Sequence, residues 1–429
     1  MFSLKKAAAG VLSCTMLLGS LVISGCSDSN TSGAQSADNT SNGSSTAHQG
    51  EIKDISSVEL VKDMKIGWSL GNTLDGGNEV NRGQAPGAIE KSWGNPDTTK
   101  EMIDEIKKAG FNVLRVPTTW DWSTGEAPEY KISDEWFARV KEIVDYGMEN
   151  DMYVILNIHH ETWHDPLEAN YEAASDRLKK VWTQIGNYFK DYDEHLIFEG
   201  LNEPRVRNSD EEWNGGSDAT REVVNKLDAD FVSTIRSLDG NNKLRHLMIP
   251  GYAASSSEVA LKGLKIPEND DKLIVSVHAY IPYNFALSDN KRSNKWVACK
   301  EGMTNDIDNL ADMLKTLFTD KGQAVIIGEF GARSKDNEKY RAEWAKYYVT
   351  KMKTVGVPCV WWDNGAFTGS GELFGLFDRR NLEWRYPLLK DALISAANGE
   401  YTVDGLKSDT AILDELKKDI AQSKNSSAE

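Results

Sequence analysis

The sequence predicts an α/β protein built as a single TIM-type (β/α)8 barrel. Two observations carry that prediction. Eight short apolar runs alternate with longer amphipathic stretches, and nearly every run ends in polar or aromatic residues that a packed core would reject. The runs cover residues 65–72, 111–117, 153–160, 196–204, 246–253, 273–280, 324–332 and 357–365. They are continuous rather than alternating, as strands of a parallel sheet covered on both faces should be. Helical periodicity fills the gaps at 99–108, 134–148, 171–189, 219–238, 307–318, 337–355 and 383–397, with a weak stretch at 257–264. Ser133 offers an N-cap, and Gly110, Gly240 and Gly356 offer stops. A doubly wound open sheet shares the alternation and is the competing architecture.

The run ends decide for the barrel. They read Arg115-Val116-Pro117, Asn157-Ile158-His159-His160, Asn202-Glu203-Pro204, His278-Ala279-Tyr280, Glu329 and Trp361-Trp362-Asp363-Asn364. In a barrel the carboxyl ends of all strands meet on one face, so residues far apart in sequence share a cleft.

The rest of the chain bounds the function. Its 429 residues carry 49 Lys and Arg against 66 Asp and Glu, a formal net charge of −17. Such a polyanion disfavours nucleic acid and acidic membranes as partners. Lys5 and Lys6, an apolar stretch to Ile23, and Gly25-Cys26 read as a secretory signal ending in a lipid-accepting cysteine. Residues 1–25 are therefore expected to be a lipoprotein-type signal peptide. Residues 26–50, rich in Ser, Asn, Thr and Gly, are expected to be a flexible linker, residues 51–398 the globular domain, and residues 399–429 a charged, poorly ordered tail. Only Cys299 and Cys359 remain in the body, with no metal-binding cysteine spacing; whether they pair stays open.

Glu203 and Glu329 form the central pair. Cleavage of a glycosidic bond needs two carboxyl groups flanking it, one to protonate the leaving oxygen and one to attack or to activate water. The fourth and seventh strands face each other across a barrel. Around the pair, Arg115 can hold a carboxylate ionised, Tyr280 can donate to it, and Asn202 can bind a sugar 2-hydroxyl. His159 and His278 can hold hydroxyls or orient a carboxylate, and Trp362 offers a flat face to a pyranose. Of the thirteen tryptophans, Trp68, Trp93, Trp120, Trp163, Trp213, Trp296 and Trp361 also lie on strands or loops where sugar stacking competes with core packing.

Eight segments in order carry a family resemblance: GWSLGNTLDG (67–76), SWGNP (92–96), FNVLRVPTTW (111–120), LNIHHE (156–161), FEGLNEP (198–204), HAYIPYNF (278–285), IGEFGA (327–332) and WWDNG (361–365). Together they resemble the family 5 glycoside hydrolases of the cellulase type, from about residue 64 to 384. The resemblance implies a retaining mechanism with Glu203 as acid/base and Glu329 as nucleophile. It places Arg115, His159, Asn202, His278 and Tyr280 in support, and His160 and Trp362 at the substrate. Trp68, Trp93, Trp163, Asn72 and Asn364 are further substrate-binding candidates. Ser69 departs from the family's GWNLGN pattern and bears on substrate preference.

The expected activity is endo-hydrolysis of β-1,4-glucan, a cellulose-type chain. Xyloglucan, mixed-linkage β-glucan, xylan and mannan stay open as substrates, and a non-catalytic polysaccharide-binding lipoprotein is the alternative from another class. The expected partners are a polysaccharide and, only through lipid on Cys26, a membrane. The chain is expected to be a secreted, surface-anchored monomer without a cofactor. The histidines invite a metal, but adjacent strand residues point to opposite faces, so no metal ligand is assigned.

Overall fold

The computed structural model describes residues 48–413 and residue 417. The expected signal peptide and nearly all of the expected linker lie outside the described residues. Eight parallel strands close into a barrel in sequential order: β1 (Ile66–Leu70), β2 (Val113–Val116), β3 (Tyr153–Asn157), β4 (Leu196–Glu199), β5 (Leu247–Ser255), β6 (Leu273–His278), β7 (Ala324–Phe330) and β8 (Cys359–Asp363). Seven of the expected runs contain a strand, shortened mainly at the carboxyl end where the chain turns into the loops, whereas β5 extends two residues beyond its expected run.

The helices are α1 (Ser57–Asp63), α2 (Pro86–Glu90), α3 (Lys100–Ala109), α4 (Asp134–Glu149), α5 (Tyr171–Tyr188), α6 (Asp218–Ser237), α7 (Glu258–Gly263), α8 (Tyr283–Ala286), α9 (Asn305–Leu317), α10 (Glu338–Thr354), α11 (Pro387–Asn398) and α12 (Val403–Ser408). Ser133 caps α4 by accepting the Trp136 N–H, and Gly110 ends α3 at φ 112°. The expected final helix starts late, at Pro387. Glu383 and Trp384 instead pair with Phe377 and Asp378 in a small antiparallel hairpin.

Strand alternation divides the core. Leu114, Val154, Phe198, Val275, Ile327 and Trp361 belong to the large cluster shared with the surrounding helices. Their neighbours Val113, Ile155, Ile197, Met248, Ile274, Ile326 and Val360 form a separate cluster with Leu60, Val61 and Met64. The second set lines the barrel interior, and α1 closes its amino end. Four of the seven residues two further along on that inner face are polar: Arg115, Asn157, Glu199 and Ser276. The strands themselves therefore carry the switch from packed floor to functional rim.

The expected tail boundary needs correction. Leu406 and Ile412 are buried in the main core, and Lys407 reaches Asp308 at 2.8 Å, so the chain stays docked through α12 and beyond. Cys299 and Cys359 are both free thiols.

Candidate active site

Glu329 ends β7 beside a break in the ladder, where the β6–β7 register shifts between Val277 and His278. Gly328 is required here. A Cβ on it would sit 3.0 Å from Ser276 Oγ and 3.2 Å from His278 Nε2, closing the space that His278 occupies next to Glu329. The Glu329 carboxylate accepts from Arg115 Nη1 at 2.7 Å and from the Tyr280 hydroxyl at 2.9 Å.

Arg115 is fully buried, and its fork is filled: Nε donates to Glu199 at 2.8 Å and Nη2 to Asn202 Oδ1 at 2.7 Å. Burial alone would lower its pKa, but Glu199 and Glu329 outweigh burial and raise it further. With Oδ1 committed to Arg115, the Asn202 amide keeps its N–H groups for a substrate hydroxyl. Glu199 also accepts from Asn157 Nδ2 at 3.0 Å and Ser276 Oγ at 2.6 Å. Sequence reasoning missed Glu199. Its signal was a carboxylate inside an apolar run, which demands a buried cation, and Arg115 is the cation it meets.

Glu203 follows β4. Its Oε1 lies 2.9 Å from His278 Nδ1, and that nitrogen is 3.6 Å from Glu329 Oε2, so His278 bridges the two carboxylates. Burial pushes the Glu203 carboxyl up, but the hydrogen bond and charge of His278, together with the charges of Arg205 and His160, outweigh it and hold the group below its ordinary value. Burial in turn lowers His278, while Glu329 and Glu203 raise it above its ordinary value. One oxygen of Glu203, one of Glu329 and the His278 nitrogen all lie within 4.8 Å of one another.

A row of rings continues from the pair. Trp362 lies parallel to His159 with centroids 5.7 Å apart, His159 meets His160 edge-on at 4.3 Å, and His160 meets Trp93 at 5.6 Å. Trp93 is 42% exposed, whereas Trp362 is 7% exposed. His159 Nδ1 faces Asn157 Nδ2 at 3.0 Å, and burial, followed by the charges of His160 and Arg115, holds His159 neutral. Asp75, also missed, lies under both histidines, 4.0 Å from each Nε2, and accepts the N–H groups of Thr73 and Asn72. Burial raises its pKa.

Some expected contacts are corrected. Trp68 is fully buried, donates Nε1–H to Asp363 at 2.9 Å and lies beneath Arg379, so no sugar reaches its face. Asn364 spends its amide on loop backbone: Nδ2 donates to Glu372 O, and Oδ1 accepts from Ala366 and Phe374. Trp120, Trp296 and Trp361 are likewise buried, each with its indole N–H on a carbonyl. Trp163 is half-buried, pinned by Glu161 and Arg177. Asn72 adopts φ 55° and serves the turn through its backbone, donating to Asp75 and accepting from Asn95. Trp213 is 59% exposed and stacks under Arg205, which itself reaches Glu203.

A (β/α)8 barrel with two carboxyl groups this close at its carboxyl-terminal rim defines a barrel glycoside hydrolase. Comparison with known proteins agrees. The cellulase (glycosyl hydrolase family 5) family model matches residues 75–368. Endoglucanase A of Ruminococcus albus is 45% identical over 357 residues, 82% of this chain and 95% of that protein. Endoglucanase B of Neocallimastix patriciarum is 49% identical over 347 residues, 80% of this chain and 72% of its own length. Among solved structures, a GH5-4 broad-specificity endoglucanase from Ruminococcus champanellensis with bound cellotriose superposes with a TM-score of 0.77 at 43% identity, over 80% of this chain and 99% of that one. A family 5 lichenase from Caldicellulosiruptor gives 0.76 at 43%, over 81% of this chain and 97% of that one. The chain belongs to glycosyl hydrolase family 5, the cellulase family.

Proposed function

We propose that the protein is a retaining endo-β-1,4-glucanase in which Glu329 is the nucleophile and Glu203 the acid/base. The observation that supports this most is the carboxyl spacing. The nearest oxygens lie within 4.8 Å, in keeping with the ~5–5.5 Å of a retaining pair and short of the ~6.5–9.5 Å of an inverting one. Arg115 and Tyr280 donate to the Glu329 carboxylate and hold it in place for attack on the anomeric carbon. Glu203, paired with His278 Nδ1 at 2.9 Å, protonates the leaving oxygen. Once Glu329 is glycosylated its charge is gone, and with it the strongest influence raising His278. Loss of that neighbouring negative charge also favours the ionised form of Glu203, the form that must deprotonate water.

Cellulose-type chains lead because the relatives' names are endoglucanases. A second reading, mixed-linkage β-glucan, is favoured by the lichenase relative. We further propose that residues 48–413 act as a monomeric catalytic domain, exported and held at the cell surface by lipid on Cys26. A membrane fraction that retains the wild-type chain and loses a Cys26→Ala variant supports the anchor.

The decisive experiment measures reducing-sugar release from carboxymethylcellulose, mixed-linkage β-glucan, xyloglucan, xylan and mannan, with the anomeric form of the first product followed by NMR. The expected result is β-product from a glucan, with Glu329→Gln lowering the rate about 10⁴-fold or more. Release of α-product first overturns the assignment of roles.

A further inference from the structure

The opposite, amino-terminal end of the barrel carries a second cluster that the hydrolytic reaction does not use. His48, Asp151, Asp193 and His195 come from three separate segments and meet beside Tyr153. The His48 and His195 rings lie 4.3 Å apart. Each turns its Nδ1 to the same carboxylate: His48 to Asp193 Oδ2 at 2.9 Å and His195 to Asp193 Oδ1 at 3.0 Å. Both Nε2 atoms then face one oxygen of Asp151, at 3.4 Å and 3.9 Å. The three outer atoms all lie within 4.8 Å of one another.

We infer that this cluster is a site for a divalent transition-metal ion of zinc type, held by His48 Nε2, His195 Nε2 and Asp151 Oδ1. Three features point to a metal rather than to a plain hydrogen-bond cluster. The first is the donor set, two imidazoles and a carboxylate, which suits zinc. The second is the spacing. Ligands about 2.0–2.1 Å from a tetrahedral ion stand about 3.4 Å from one another, near the separations found here. The third is Asp193. A carboxylate on the far nitrogen of each histidine fixes both Nδ1 atoms as donors and leaves both Nε2 lone pairs for the ion, the arrangement that orients histidine ligands in metal sites. Asp151 has a side chain 76% exposed, and the site opens to solvent there, so water can complete the coordination.

The place of the cluster gives the ion a role. His48 begins the described chain and lies far in sequence from the other two ligands. Its segment already holds to the barrel by backbone bonds, Gly50 N–H to Asp191 O at 3.0 Å and Asp193 N–H to His48 O at 3.0 Å. An ion here staples residues 48–50, the last of the expected linker, to the amino-terminal end of the barrel, remote from the cleft.

The test is titration of the chelator-treated full chain with zinc chloride by calorimetry, repeated with cobalt to read ligand-field absorption. Asp151 is exposed and His48 lies outside the apolar clusters of the core, so His48→Ala and Asp151→Asn leave the barrel core untouched. The catalytic trio of Glu203, His278 and Glu329 is the competing place for an ion, so Glu203→Gln is the control. The expected result is one tight zinc site whose affinity falls about tenfold or more in His48→Ala and in Asp151→Asn and is unaltered in Glu203→Gln. Zinc should also protect the bonds around residues 44–50 from proteolysis in the wild type and not in His48→Ala, while glucan hydrolysis is the same in both. The proposal is overturned if folded wild type takes up no zinc, or if its affinity is unmoved by both variants.

Discussion

The barrel interior has two layers that differ in almost everything except the strands that carry them. The floor is Val113, Ile155, Ile197, Met248, Ile274, Ile326 and Val360, closed by Leu60, Val61 and Met64. The layer above it is Arg115, Asn157, Glu199 and Ser276, in which the only cation serves two carboxylates and an amide. Both layers are buried. The floor is held by contact alone, and any apolar residue of the right size serves it. The upper layer is held by hydrogen bonds whose partners are specific, and losing one leaves a buried charge without a partner. Stability can therefore be drawn from either layer, but function only from the upper one.

The largest expected effect breaks the upper layer at its centre. Arg115→Met leaves Glu199 and Glu329 facing each other without a cation, and should cost about 3–5 kcal/mol of stability. Among the molecules that still fold, kcat should fall about 10²-fold or more as Glu329 loses a donor that holds its charge. Denaturant unfolding and steady-state kinetics on the same samples check both. A variant within 1 kcal/mol of wild type would show that water or His278 replaces the guanidinium, and the contrast between layers would collapse. Ile155→Ala, one layer down on β3, should cost about 2–5 kcal/mol through the cavity it leaves. At a temperature where it remains folded, its kcat/KM should match wild type. Loss of activity in the folded variant would mean that the rim depends on fine packing of the floor.

The layers also explain what could be read from the chain alone. The eight strands were legible because each is buried on both faces and reads as an unbroken apolar run. The catalytic pair was legible because Glu203 and Glu329 stand where those runs end. Glu199 was not, since a single acid before Gly200 looks like one more strand end until Arg115 is seen beneath it. Trp68 was misplaced by neglect of alternation. Its neighbours Gly67 and Ser69 pair with Val113 and Arg115 on the inner face, which sends the indole outward into the helix layer. Asn364 could not be placed because its partners belong to a loop that returns ten residues later. The docking of residues 399–412 rests mainly on Leu406 and Ile412 within a charged stretch, too few apolar positions to register as periodicity. The plug α1 was hidden for the same reason, being only seven residues long.

A smaller effect separates the rim from the floor by pH. His164, in the loop after β3, is buried with neither ring nitrogen hydrogen-bonded. Burial, followed by the charge of Arg207, lowers its pKa from 6.5 to about 3. The folded chain thus keeps it neutral while the unfolded chain takes up a proton below 6.5. Its contribution is fully present above 6.5 and is lost as pH falls toward 3. Between neutrality and pH 5 that loss is about 2 kcal/mol. Buried His246, lowered to about 4 mainly by burial, adds an effect of the same sign at the amino end of β5. His164→Phe should remove its own share of the acid-side decline in unfolding free energy and leave the share of His246. An unchanged pH dependence would mean that the loop opens to solvent as it charges.

The smallest effect on activity tests two tryptophans that the sequence could not tell apart. Trp93 is 42% exposed at the end of the ring row, and Trp68 is fully covered with its N–H on Asp363. Removing Trp93 takes away a stacking face of about 1 kcal/mol. Trp93→Ala should therefore raise KM on glucan about fivefold with unfolding unchanged. Trp68→Ala empties a packed site under Arg379, and it should lower stability by about 3–5 kcal/mol with KM unaltered where the chain stays folded. The two variants delete the same chemical group, so any difference in the readout they move comes from position alone. If both moved KM, Trp68 would act on substrate through Asp363 and the β8 loop, and the rim would extend a residue deeper than the polar layer now defines. If neither did, the glucan would bypass the ring row altogether, and the exposed Trp213 beside Arg205 would become the next surface on which to look for the chain.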